Sequence, residues 1–235
     1  MSKRKKIKEQ EVKTFLDEEI NLQEQYGKAE KFITEKKGVL LPAVGAVALL
    51  ILLVFGFRSW YLPSVETTAQ SDLFMAQSYF EKDSFNLALN GDGNFSGFLD
   101  VIDNHSGLTN ANNLAHYYAG VSYLNLGNYE KAIEYLESFN GKDELVSSMA
   151  LGALGDAYTA IDKFDKGISY YQKAANNSDN ELTSPMYLIK LGAAKEKQGD
   201  YAGAKKAYEQ LKNKYPESAQ ARTIDKFIAR AEANM

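Results

Sequence analysis

Cysteine is absent from all 235 residues, tryptophan occurs once and histidine twice. No disulfide, thiolate nucleophile, cysteine-ligated zinc or cysteine-linked lipid anchor can be built from this chain. An excess of positive charge is missing as well, since 27 Lys and Arg stand against 31 Asp and Glu for a net charge of −4. A pI near 5.4 does not suit a basic nucleic-acid binder, and no nucleic acid is expected as a partner. His105 and His116 are too far apart in sequence for a helical metal pair. No HExxH spacing, Ser-His-Asp set or phosphate loop occurs, and Gly91-x-Gly93 does not follow a strand as a dinucleotide fingerprint must. The chain is expected to be no enzyme and to need no cofactor.

Charge is also missing from one stretch. Residues 38–57, GVLLPAVGAVALLILLVFGF, carry none, whereas residues 1–37 carry ten basic and eight acidic side chains. Twenty apolar residues at about 1.5 Å each match the hydrocarbon core of a bilayer. The run is apolar all round, with Pro42 placed in its first turn, where a missing N–H does little harm. It is too long and too far from the N-terminus for a cleaved signal peptide, and Arg58-Ser59-Trp60-Tyr61 offers no small-residue cleavage site. Lys28, Lys31, Lys36 and Lys37 precede it, and only Arg58 follows before Lys82. This bias puts the N-terminus in the cytoplasm and the rest outside, in the periplasm of a two-membrane bacterium, with Trp60 and Tyr61 in the far headgroup layer. The expectation is an inner-membrane, single-pass protein. A charged cytoplasmic helical segment covers 1–37, a transmembrane signal-anchor helix 38–57 and a juxtamembrane linker 58–68. Val12, Phe15, Leu16, Glu19, Leu22, Tyr26, Ala29, Phe32 and Ile33 form one helical stripe in the first segment, which ends in a short joint. The opening Lys3-Arg4-Lys5-Lys6 fits a topology signal and solvated tail.

Beyond the run, self-comparison gives a period near 35. Gly120-x-x-Tyr123 aligns with Gly155-x-x-Tyr158 and Gly192-x-x-Lys195. Gly127-x-Tyr129-x-x-Ala132, Asp162-x-Phe164-x-x-Gly167 and Gly199-x-Tyr201-x-x-Ala204 follow, and then Leu136, Tyr171 and Tyr208. Small residues at these steps let paired helices approach, and bulky side chains fill the space opposite. Each unit leaves an apolar face that only a neighbour can cover.

These residues resemble the tetratricopeptide repeat (TPR) family, and Pro216 falls where the family places its terminating proline. The expected fold is all-α: a TPR-type helix-turn-helix superhelix behind one transmembrane helix and a short N-terminal helix. A degenerate unit with a loop insertion covers 69–112, three units cover 113–217, and a closing helix covers 218–235. His116, Leu151 and Leu188 replace the family's usual first-helix tryptophan, and Lys195 stands in an aromatic position, so the third unit is expected to pack more loosely. In TPR proteins the concave groove is formed largely by positions 2, 5, 9 and 12 of the first helices. The resemblance carries these onto Leu114, Tyr117, Val121 and Leu124, then Met149, Gly152, Asp156 and Thr159, then Met186, Ile189, Ala193 and Glu196. The Lys and Asn of carboxylate-gripping TPR domains are lacking in the first two sets, so apolar or extended segments are expected to bind. Closure of part of the groove by the last helix or the degenerate unit is the competing expectation. Asp92, Asn94, Ser96 and Asp103 fall at EF-hand-like spacing, but Asp in the twelfth position and Phe98 argue against it. A Gly/Asn/Asp turn accounts for the same residues, and no metal is expected.

A short cytoplasmic segment, one span and an outer TPR domain together resemble the YfgM-like ancillary subunit of the SecYEG translocon. The resemblance implies a membrane-anchored adaptor whose protein partners are translocon subunits, exported polypeptides or periplasmic chaperones. A scaffold of an envelope complex, or a single-span regulator signalling through residues 1–37, stays open beside it.

Overall fold

The computed structural model describes residues 2–105 and 107–235, with side chains described for 26–28, 30–105 and 107–235. It divides into two units, residues 1–61 and 62–235. In the first, helix α1 (Ser2–Gly56) runs unbroken and is followed by a π-helical turn, Phe57–Tyr61. The joint expected before the apolar run is not there, and Pro42 lies inside the helix instead of in a first turn. Nothing between Tyr26 and Gly38 forces a break. One glycine costs about 1 kcal/mol, and a proline in an apolar stretch forfeits a single N–H bond that neighbouring groups can offset. This helix is long and apolar enough to cross a membrane, and Leu41, Val44, Leu52 and Phe55 are among its exposed side chains. The stripe positions Val12, Phe15, Leu16, Glu19, Leu22 and Ala29, and the Lys3–Lys6 stretch, lie outside the described side chains.

The second unit is helical, with no strand among the described residues. Helices α2 (Leu62–Phe80), α3 (Phe85–Asn90) and α4 (Phe98–Asn104) make the degenerate repeat, so the stretch expected as a linker over 58–68 is itself helical. Three pairs follow: α5 (Asn110–Asn125) with α6 (Tyr129–Ser138), α7 (Glu144–Ala160) with α8 (Phe164–Asn177), and α9 (Thr183–Lys197) with α10 (Tyr201–Lys214). A 3₁₀ turn, Ala221–Thr223, leads into α11 (Ile224–Glu232). Ser218 Oγ accepts the Ala221 N–H at 3.2 Å, and Ile224 and Ala231 are buried on the stripe expected for a closing helix.

One turn recurs four times. Asp83, Gly127, Asp162 and Gly199 adopt left-handed φ values of 55°, 75°, 58° and 84°. The N–H of the next residue then returns to a carbonyl of the preceding helix, from Ser84 to Tyr79, Asn128 to Tyr123, Lys163 to Tyr158 and Asp200 to Lys195, at 2.9–3.0 Å. This is the 6→1 bond of a Schellman ending, which satisfies a carbonyl the helix would otherwise strand. An aromatic residue (Phe85, Tyr129, Phe164 or Tyr201) then opens the second helix. The fourth occurrence identifies the degenerate unit as a true repeat whose second helix is split by residues 91–97. A Cβ at Gly91 or Gly97 would collide with the carbonyl of Phe95 or Leu89, so that tight loop requires glycine at both ends.

Within each pair the helices meet at a small residue. A Cβ at Gly120 would run into Leu136, at Gly155 into Tyr171 and at Gly192 into Tyr208. Leu136, Tyr171 and Tyr208 are all buried. The third unit is not loose: Tyr208, Leu211 and Leu188 are fully enclosed. A compensating exchange explains it. In the first two units Lys131 and Lys166, from the second helices, lie over the rings of Tyr123 and Tyr158 at 5.1 and 4.8 Å. In the third, Lys195 itself supplies the cation and bonds Asp200 at 2.8 Å, and Gly203 stands where the other units carry lysine. A Cβ at Gly203 would crowd the Lys195 ammonium and the Asp200 carboxylate.

His105 caps the end of α4 and shares a 2.8 Å contact with Asp72 of α2. His116 packs 6.0 Å from the Tyr135 ring, its Nδ1 buried without a partner, and burial holds its pKa below the ordinary imidazole value.

Two outcomes follow from this packing. Gly192→Ala should destabilise the fold by roughly 1–2 kcal/mol, because overpacking against Tyr208 outweighs the helix-propensity gain of alanine. Urea midpoints followed by far-ultraviolet circular dichroism check this, and an unchanged or raised midpoint contradicts it. Since His116 takes up its proton at lower pH when folded, the unfolded chain binds more protons once pH drops below about 6.5. Stability should therefore fall from that pH down to the depressed folded value, and His116→Leu should flatten the decline between pH 7.5 and 5.5.

Candidate functional site

The first helices α5, α7 and α9 carry the twelve groove positions, and the structure separates them into three groups. Asp156, Thr159 and Ala193 come together around a cavity of about 480 Å³ between α7 and α9, which Phe164, Tyr171 and Lys190 also line. Leu114 belongs to a second depression of about 320 Å³, shared with Gln70, Leu73, Phe74 and Gln77 of α2. The others are placed differently. Tyr117 is 7% exposed and packs with Leu136, Ala150 and Leu154. Gly152 lies under the ring of Tyr187, which a Cβ would strike. Val121 and Leu124 pack half-buried against the α5–α7 core, and Met186 and Ile189 against the C-terminal core. Met149 is 39% exposed. Glu196 is held by Arg230 of α11, Nη2 to Oε2 at 2.5 Å, so the closing helix occupies that position.

Charge chemistry in the main cavity centres on Asp156. Its Oδ1 accepts the Tyr171 hydroxyl at 2.6 Å and the Lys190 ammonium at 2.8 Å, and its Oδ2 accepts Lys190 at 2.6 Å. The ammonium also stands 6.0 Å from the centroid of the Tyr171 ring. Both charged side chains keep about a third of their surface in solvent, 38% for Lys190 and 32% for Asp156. Burial and the nearby Asp156 carboxylate push the Tyr171 and Tyr187 hydroxyls well above the usual phenol range. Burial likewise pushes Tyr117 up to about 12. These phenols stay protonated near neutrality, and Tyr171 uses its proton to donate to Asp156. Thr159 Oγ1 donates to carbonyls of its own helix, Gly155 and Asp156, at 2.9 Å. The arrangement is a recess of mixed lining, with Ala160, Phe164, Ala193 and Ala194 beside Asp162, Lys197 and the one-third-exposed Lys190–Asp156 pair, fit to contact a side chain and one polar group beside it.

The loop with EF-hand-like spacing has another occupation. Asp92 Oδ1 accepts the amides of Asn94 and Phe95 at 2.9 Å, and Oδ2 accepts the Tyr79 hydroxyl at 2.8 Å. The two backbone amides, followed by Tyr79, hold the Asp92 carboxyl below its ordinary pKa. Asn94 is exposed and Ser96 half-buried in the loop, while Asp103 points outward from α4. The turn chemistry accounts for Asp92 without an ion.

Sequence reasoning did not include Lys190, Tyr171 and Phe164, or the α2 contribution. The α2 residues were within reach: aligning Ala76 with Gly120, Gly155 and Gly192 puts Gln70, Leu73 and Gln77 at positions 2, 5 and 9. Lys190 lies one step past a groove position, and only the path of its long side chain brings it to Asp156.

Residues 117–181 and residues 187–218 each match a family profile described as tetratricopeptide repeat. No curated protein matches the sequence. The crystal structure of nearly identical TPR-like repeats from a Podosopora anserina kinesin light chain is similar at TM-score 0.55 and 13% identity, over 72% of this chain and 87% of that one. MamA is similar at TM-score 0.51 and 20% identity, over 71% and 91%. PcrH in complex with the chaperone binding region of PopB gives TM-score 0.42 and 17% identity, over 55% and 98%. The first two likenesses concern fold, and the repeats are a TPR-type superhelix.

A double-mutant cycle on Asp156→Asn and Lys190→Met should give a coupling of about 0.5–1 kcal/mol at low salt. It should shrink toward zero near about 1 M salt, where screening is short-ranged. Zero coupling at low salt would mean the two charges merely coexist.

Proposed function

We propose that the TPR module of this chain, a protein-interaction fold, serves as a membrane-anchored adaptor that receives extended polypeptide segments beside the protein-export translocon. Residues 38–57 span the inner membrane, the N-terminus is cytoplasmic and the repeats are periplasmic. The observation that carries the binding role is the α7–α9 cavity, with apolar Phe164, Ala193 and Ala194 beside the one-third-exposed Lys190–Asp156 pair. An extended segment can seat one apolar side chain there and still satisfy a neighbouring polar group, with little demand on its sequence. Exposed Met149 and Phe74 widen the apolar contact along the first helices, and methionine adapts to varied shapes. The membrane reading is supported by the exposed apolar face of α1 and by the excess of lysine before it. Association with SecYEG and its clients is supported by the resemblance of the whole layout to the YfgM-like subunits. The repeats are asked to hold a chain, not to transform it.

Burial dictates where to probe. Tyr117 is enclosed, so a photo-reactive residue belongs at Met149, with a second at Phe74. In the full-length protein in native membranes, adducts with translocon subunits and many unrelated exported chains are expected. A single dominant folded envelope protein at both sites would overturn the adaptor in favour of a scaffold. Adducts confined to probes within residues 1–37 would favour the signalling reading.

A further inference from the structure

Asparagine is followed by glycine at Asn90-Gly91 and at Asn140-Gly141. In such a pair no side chain shields the following amide nitrogen, which can approach the asparagine side-chain carbonyl carbon and close a five-membered imide. Packing fixes the glycine in both places. A Cβ at Gly91 would strike the Phe95 carbonyl, and one at Gly141 would strike the Ser147 side chain. By sequence the two pairs are equals.

The fold separates them by what it does with the reacting atoms. Asn90 is the last residue of α3. The Gly91 N–H donates to the Leu87 carbonyl at 2.8 Å, and Asn90 Nδ2 donates to the Asn86 carbonyl at 2.9 Å. Nucleophile and leaving group are both tied to the helix. Asn140 and Gly141 are instead exposed, in the loop between α6 and α7. There Asn113 of α5 grips only the main chain of Asn140: its Oδ1 accepts the N–H at 2.8 Å and its Nδ2 donates to the carbonyl at 2.9 Å. The Gly141 N–H and the Asn140 side chain have no hydrogen-bond partner among the described residues.

We propose that Asn140 is a modification site, converted by its own neighbour Gly141 to an aspartyl or isoaspartyl residue. The Gly141 nitrogen forms a bond to Asn140 Cγ, the Cγ–Nδ2 bond breaks, and the proton leaving Gly141 departs with the amide nitrogen as ammonia. Water then opens the imide at either carbonyl, and no oxidant or reductant is needed. The aspartyl product keeps the main chain as it was and adds a charge. The isoaspartyl product lengthens the chain between the Asn113 grip and α7 by one carbon and leaves a carboxylate where Asn113 now holds a carbonyl. The connection from the α5–α6 pair to the α7–α8 pair therefore changes as the protein ages. Neither the membrane span nor the translocon enters this chemistry.

For the test, full-length protein in detergent is incubated in mildly alkaline buffer and digested with trypsin at intervals. Mass spectrometry then follows the gain of acid for amide at each asparagine. Asn140 is expected to convert faster than Asn90 by about tenfold or more, the factor lost where two ordinary hydrogen bonds must open first. Equal rates, faster conversion at Asn90, or no conversion at Asn140 overturns the assignment. In urea the two rates should converge. A preference for Asn140 that persists there places its cause in the local sequence and overturns the structural argument. Asn140→Gln keeps the main-chain grip of Asn113 but would have to close a six-membered ring, so acid gain at that position should all but cease. An undiminished rate in this variant overturns attack by Gly141.

Discussion

The close approach of paired helices at Gly120, Gly155 and Gly192 is the constraint on which the outer unit depends. Each glycine removes a side chain where a large one from the partner helix (Leu136, Tyr171 or Tyr208) must enter. Packing at this density tolerates neither a gap nor an added methyl. It sets the distance between helices within a pair, and the recurring Schellman turn sets the direction in which the second helix returns. The apolar faces left over have only neighbouring pairs to cover them, which is why the repeats stack and why α11 is needed to seal the last one.

The same logic bears on the groove. Gly152 is small because Tyr187 of the following repeat lies across it, and Tyr117 is enclosed alongside. Two positions that commonly contact ligands in this fold are used here to hold adjacent repeats together. The surface left accessible lies just beyond them, at Lys190 on α9 and Phe74 on α2. Arg230 takes up Glu196, so the C-terminal end of the groove is closed while the middle stays open.

Much of this fold is legible in the sequence because its determinants are local and periodic: glycine and aromatic residues at fixed steps, one uncharged run, a proline after the last pair. What was less legible depends on long side chains or on the balance of small energies. The uninterrupted course of α1 through Gly38 and Pro42 turns on costs of about 1 and about 3 kcal/mol being offset by the rest of the helix, which spacing does not reveal. The split second helix of the first repeat hid a turn that matches the other three in geometry. Asp83 and Asp162 tolerate a left-handed backbone that the motif usually marks with glycine; the spacing already exposes the turn at Asp162, and the shared hydrogen bond adds the one at Asp83. Lys195 looked like a defect because its effect was judged at one position, whereas the structure resolves it at two.

That pairing of Lys195 with Gly203 bears on how such arrays can be recombined. In the α5–α6 and α7–α8 pairs the aromatic sits on the first helix and the cation on the second; in the α9–α10 pair the cation has moved to the first helix and the second has made room. A crossover between repeats keeps each solution intact. One made at the turn inside a repeat joins halves from different solutions, giving either two lysines competing for one site or a tyrosine without its cation. The inheritable unit of this array is therefore the helix pair, and its boundaries lie in the loops between pairs.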